Sequence, residues 1–194
     1  GTGATLSSTT DATTTFTMGS ANATVTAGFV KQSYTRTTAP SPTDGGSVTT
    51  GGTLQYQTTK QLIATPKTGY RFSKWTVSGT GATLSSTTNA TTTFTMGSAN
   101  ATVTATFIAI GELTVTSADE IMGTVTGSGT YDYNSSVTIK ATPKTGYHFV
   151  KWDDDDTNAS RSVTITGDAA YTATFEANSY DITVLSVDES TGTV

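Results

Sequence analysis

The stretch GTGATLSSTTDATTTFTMGSANATVTAGF at positions 1–29 returns at 79–107 as GTGATLSSTTNATTTFTMGSANATVTATF, changed only at Asp11/Asn89 and Gly28/Thr106. Self-similarity of this kind restricts a chain to a short list of repeat architectures. Core packing alone tolerates far more substitution than this, so the near-identity marks a recent duplication. A second pair, ATPKTGYRFSKW at 64–75 and ATPKTGYHFVKW at 141–152, and a looser echo of the closing stretch, SVTITGDAAYTATF at 162–175, complete the pattern. Superposing the copies divides the chain into the back half of one module (1–29), a complete module (30–107), a second complete module (112–176) and the opening strand of a further one (180–194). This layout predicts an elongated array of tandem small modules, of which the chain is a window cut inside a module at both ends.

The modules read as all-β. Thr accounts for 49 of the 194 residues, and a β-branched side chain favours strands over helices. Runs of strong helix formers are missing; TSADEIM at 116–122 allows at most one turn. In the second module, alternation places Val137, Ile139 and Ala141 on one inward row, Val163 and Ile165 on another, and Tyr171, Ala173 and Phe175 on a third. Pro143 and Gly146 bracket a turn between two of these strands, since proline fixes φ and glycine accepts the left-handed region. A compact β-sandwich or β-grasp-like module follows. Short linkers, IAIG at 108–111 and ANS at 177–179, are expected to limit bending between modules.

The run GTYDYNSSVTIKATPKTGYHFVKW followed by NASRSVTITGDAAYTATF resembles the divergent internalin-type B-repeat, a small β module strung in tandem along bacterial surface proteins. Its Gly-Tyr-x-Phe-x-x-Trp motif and its closing Ala-Thr-Phe are matched at Gly69, Tyr70, Phe72, Trp75 and Phe107, and again at Gly146, Tyr147, Phe149, Trp152 and Phe175. The first module departs from the pattern in its opening, KQSYTRTTAPSPTDGGSVTTGG, and in a Trp-to-Phe segment nine residues longer than that of the second (107 − 75 = 32 against 175 − 152 = 23). The resemblance implies an extracellular or cell-surface location and a stalk or spacer role without catalysis. The other readings are a self-assembling filament subunit and a module that binds a host surface protein or glycan.

Tyr70, Phe72 and Trp75, with Tyr147, Phe149 and Trp152, could form an aromatic platform for carbohydrate. A module of this size buries only about 60% of the surface its unfolded chain exposes and has few other large apolar residues, so these rings, with Phe107 and Phe175, are read as core. The acidic run Asp153–Asp156 is the densest group of carboxylates, but neighbouring residues on an extended chain face opposite ways and the first module has no acid in this place. It is read as a solvated turn rather than a metal site. His148 is the only histidine, there is no cysteine, and no glycine-rich loop leads into a helix, so neither a cofactor nor a catalytic residue is expected. A formal charge of −5 with ten scattered Lys and Arg offers no nucleic-acid surface, and no stretch has the apolar length of a membrane span. The expected partners are neighbouring repeats or other copies of the chain.

Overall fold

The computed structural model describes residues 2–185, and every regular element among them is a β-strand. The chain divides between Ser33 and Tyr34 into two compact units.

In the first unit β1 (Thr5–Leu6) and β2 (Phe16–Thr17) pair antiparallel, with Leu6 opposite Phe16. The loop between them is closed by hydroxyls: Thr14 Oγ1 accepts from the Ser8 amide at 3.0 Å and donates to the Ser8 carbonyl at 2.8 Å, while the Thr15 amide donates to Ser7 Oγ at 2.9 Å. Short hydroxyl side chains close such loops because they can satisfy local backbone groups without help from a core. Phe16, Met18, Phe29 and Val30 are exposed.

The second unit holds two modules built alike. The first comprises β3 (Ser33–Ser41), β4 (Gly46–Val48), β5 (Gly52–Gln55), β6 (Thr59–Pro66), β7 (Tyr70–Ser78), β8 (Thr83–Leu84), β9 (Thr91–Thr95) and the start of β10 (Ala101–Ser117). The second comprises the rest of β10, then β11 (Gly123–Thr126), β12 (Gly129–Asp132), β13 (Ser136–Pro143), β14 (Tyr147–Trp152), β15 (Ser160–Thr164) and β16 (Ala169–Ala177). In the first module one layer has the order β4-β6-β9-β8, and the other joins β7, β10, β3 and β5. In the second the matching layers are β11-β13-β15 and β14-β16-β10, with β12 on the far side of β10. The first and last strands of each module are parallel neighbours: β3 beside β10, then β10 beside β16. The TSADEIM stretch ends in a turn, in which the amides of Met122 and Gly123 donate to the Asp119 carbonyl.

Residues 108–111 correct one expectation. They are no loop but the middle of β10, which runs unbroken for 17 residues from one module into the next. Ile108 and Ala109 pair with Arg71 and Tyr70 of β7, and Ile110 and Gly111 pair with Asp132 and Tyr131 of β12. Every step of the connection therefore has a ladder partner, which a free linker would lack. Beyond β16, Tyr180–Leu185 are exposed and outside any strand, and the remainder of 180–194 lies outside the described residues.

Two cores result. Leu62, Ala64, Trp75, Phe94, Met96, Val103 and Phe107 fill the first; Leu113, Val115, Ile139, Ala141, Trp152, Ile165, Ala173 and Phe175 fill the second. A glycine serves both at one equivalent place. A Cβ on Gly46 would sit 2.7 Å from the Phe107 ring, and one on Gly123 would sit 2.4 Å from the Phe175 ring, so each ring closes its core against bare backbone. The longer Trp-to-Phe segment of the first module is also accounted for. There β7 continues to Ser78, pairing Thr76, Val77 and Ser78 with Thr104, Val103 and Thr102, and the added residues form β8 against β9.

Candidate functional site

The aromatic motif starts where the Pro-Gly turn delivers the chain into β7 or β14. Gly69 and Gly146 take φ of 82° and 88°, in the region that glycine enters without steric cost. Trp75 and Trp152 are 1% and 0% exposed. Each indole Nε1–H donates to a backbone carbonyl at 2.9 Å, that of Asn89 in the first module and of Asn158 in the second. Their backbone amides donate to Thr87 O and Asp156 O at 2.7 and 2.8 Å. One tryptophan thus pins the following loop twice. Phe72 lies 5.5 Å from Trp75 and 6.1 Å edge-on from Phe107, and Phe149 repeats this at 5.6 and 5.9 Å from Trp152 and Phe175. Phe107 and Phe175 are buried, while Tyr70, Phe72, Tyr147 and Phe149 are half-buried at the margin. The two indole faces are turned wholly into protein, so neither is open to a sugar ring. The Tyr70 hydroxyl donates to Asp44 Oδ2 at 3.2 Å, and that bond raises its pKa above the usual phenol value.

The loop after each tryptophan is held by different chemistry in the two modules. In the first, Thr92 is buried opposite Leu62, and its Oγ1 accepts from the Ser86 amide at 3.0 Å and donates to Ser86 O at 2.7 Å. This is the network of Ser7, Ser8 and Thr14 over again, reached with and without a core behind it. In the second, Arg161 stands opposite Ile139 on β15 in the place of Thr92. Its guanidinium lies 4.8 Å from the Tyr171 ring centroid and 5.8 Å from that of Trp152, and it reaches Asp154 Oδ2 at 2.6 Å and Asp156 Oδ2 at 3.1 Å. The acidic run is therefore the counterion of a stacked arginine, a geometry suited to a planar guanidinium. The Asn158 backbone amide, followed by its side chain and Arg161, holds the Asp156 carboxyl below its usual range. Asp155 pairs with Lys151 at 2.6 Å, and His148 Nδ1 lies 3.1 Å from Asn178 Oδ1. Among the described residues no three His, Asp or Glu side chains gather in a way that could hold a metal ion.

A third constellation joins the modules. Arg71 on β7 of the first forks onto Asp132 on β12 of the second, Nε to Oδ1 and Nη2 to Oδ2, both at 2.6 Å. The guanidinium lowers the Asp132 carboxyl and the carboxylate raises Arg71. Beside the pair, the Ile110 amide donates to Gly69 O at 2.8 Å and the Tyr133 amide to Ala109 O at 2.9 Å. Sequence reasoning passed over both residues as junction partners. The available signal was that these two differ from their internal counterparts, His148 and Gln55.

Two β-layers closed by a tryptophan whose following loop returns to its indole, repeated head to tail on a shared strand, define a tandem β-repeat module. The family model of the divergent InlB B-repeat domain matches residues 1–33, 36–111 and 113–179, and the chain belongs to that family. No curated protein matches the chain. No helix among the described residues is long and apolar enough to cross a membrane.

Proposed function

We propose that the chain is a non-enzymatic stalk or spacer region of a bacterial surface protein, exposed outside the cell. The observation that carries this reading is the unbroken β10. It leaves one core at Phe107 and enters the next at Leu113, with the Arg71–Asp132 fork bracing its flank. A connection whose residues are all paired cannot swing as a flexible linker does, so length is transmitted from module to module. The polar residues converge on structure: Arg161 with its aspartates, Tyr70 with Asp44, and the tryptophan indoles with backbone carbonyls. Membership in the B-repeat family supports a surface-protein setting.

The reading is tested by spin labels on exposed strand positions either side of the junction, Thr53 and Thr138, and by a glycan and host-protein binding screen. The expected result is a narrow label-to-label distance distribution, broadened by Arg71→Ala, and no specific ligand. A broad distribution in the parent chain, or a saturable ligand, would overturn it.

A further inference from the structure

A spacer needs only length. The strand order of these modules supplies something more, and we propose that each module is a shear clamp that resists tension along the chain, the resisting element being the parallel pair formed by its first and last strands.

The argument is geometric. In the first module β3 lies beside β10 with Arg36–Ser41 in register with Ala101–Thr106, six consecutive partners. In the second, Leu113–Ser117 of β10 lie beside Ala169–Ala173 of β16, five partners, extended by the Ala118 amide donating to Ala173 O at 2.9 Å. Both pairs are parallel, so the chain enters each module at one end of the pair and leaves at the other. Tension on the chain therefore pulls the two strands past each other along their length. Bonds between parallel strands are evenly spaced and slanted, and sliding loads all of them together. A pair pulled from one end gives way one bond at a time.

Two further features fit this use. The force-receiving strand of the second module is the continuation of the force-delivering strand of the first, because β10 serves in both pairs. Load thus passes from clamp to clamp through one strand and not through a loop. Thr116 Oγ1 and Thr172 Oγ1 also meet at 3.0 Å across the second pair, adding a side-chain tie between the sliding strands.

The same module contains its own control. β14 and β16 are antiparallel, with Tyr147 opposite Ala177, so force applied at that shared end peels them apart. The chain has no cysteine, and handles can be placed at will on exposed residues. The full chain carrying Glu112→Cys and Ser179→Cys is pulled in the shear direction, and the full chain carrying Thr145→Cys and Ser179→Cys in the peeling direction, each in a single-molecule force instrument after confirming that its melting curve matches the parent. Forced rupture reports the unfolding barrier and not the equilibrium stability, so equal melting with unequal force is the signature sought. We expect rupture in the shear direction at several-fold higher force. Equal forces, or a lower force in shear, would overturn the clamp. Such a failure would leave the spacer reading intact, while a specific ligand found in the binding screen would remove the spacer reading without touching the clamp.

Discussion

Arg36 occupies in the first module the register position that Leu113 occupies in the second: one stands opposite Ala101, the other opposite Ala169, and both are buried. The arginine is accommodated by a single bond from Nη2 to Thr50 O at 2.7 Å and by the Phe94 ring 5.5 Å away, while its Nε and Nη1 find no acceptor. Burial alone lowers its pKa. Unsatisfied buried donors cost about 1–3 kcal/mol, more when charged, and hydrophobic replacement of buried charge is often stabilising. Arg36→Leu is expected to stabilise the first module by roughly 1–3 kcal/mol, read as a rise in the denaturant midpoint. Leu113→Arg should destabilise the second. An unchanged or lowered midpoint for Arg36→Leu would show that Thr50 O and the Phe94 ring satisfy the guanidinium.

Trp152→Ala empties a fully buried site and releases the Asn158 carbonyl. Such a change costs roughly 3–5 kcal/mol, a large part of the roughly 5–15 kcal/mol that holds a domain folded. Trp75 then becomes the sole tryptophan and reports the first module. Circular dichroism should lose strand signal at lower temperature than Trp75 fluorescence changes. A parental melting curve by both probes would contradict the role given to the indole.

Thr92→Val keeps the volume and deletes the hydroxyl that both accepts from the Ser86 amide and donates to the Ser86 carbonyl. Because the site is buried, the orphaned groups should cost about 1–3 kcal/mol, and the Ser86 amide should exchange faster with solvent. Thr14→Val removes the same bonds in the first unit, where Thr14 is exposed. Water can replace them there, so the loss should be smaller.

The carboxyls of Asp132, Asp155 and Asp156 are held below their ordinary range, by Arg71, by Lys151 and chiefly by the Asn158 amide respectively. A carboxyl lowered on folding contributes stability that is present above its unfolded value, about 3.9, and is lost as pH falls through the lowered folded value. The melting temperature of the parent should therefore hold from neutrality to about pH 5 and fall below about pH 4. Asp156→Asn should melt lower at neutral pH and show a shallower acid drop. Millimolar Ca²⁺ should leave the parent unmoved, because a native-state ligand must raise stability by mass action. A calcium-dependent rise abolished by Asp154→Asn would reverse the assignment of the acidic run.

The all-β class and the inward rows were legible because both rest on local signals. Thr-rich alternation gives strands of period two, and Pro143 with Gly146 marks the turn into the motif. The junction was not legible, since nothing in IAIG distinguishes a linker from a strand: its pairing depends on Arg71 and Asp132, far away in sequence. Arg36 and Thr38 were hidden for a related reason. They look like polar loop residues in an irregular opening, and only the carbonyls of Thr49 and Thr50 make their inward positions tenable. The acidic run was read as a solvated turn, but its role as a counterion was not legible, because its partner Arg161 reads as one more isolated charge until Trp152 and Tyr171 stack around it.

The continuity of β10 also sets a parity rule for the array. Buried residues fall at 101, 103, 105, 107, 111, 113 and 115, all odd, so one side of a single strand feeds both cores. Phe107 and Leu113 are six residues apart, an even interval, and a one-residue slip turns every later side chain to the opposite face. An added or deleted residue between them would flip the second core to the other side of the strand, whereas a change of two would preserve its facing. Indels at this junction are therefore filtered by arithmetic before they are filtered by chemistry.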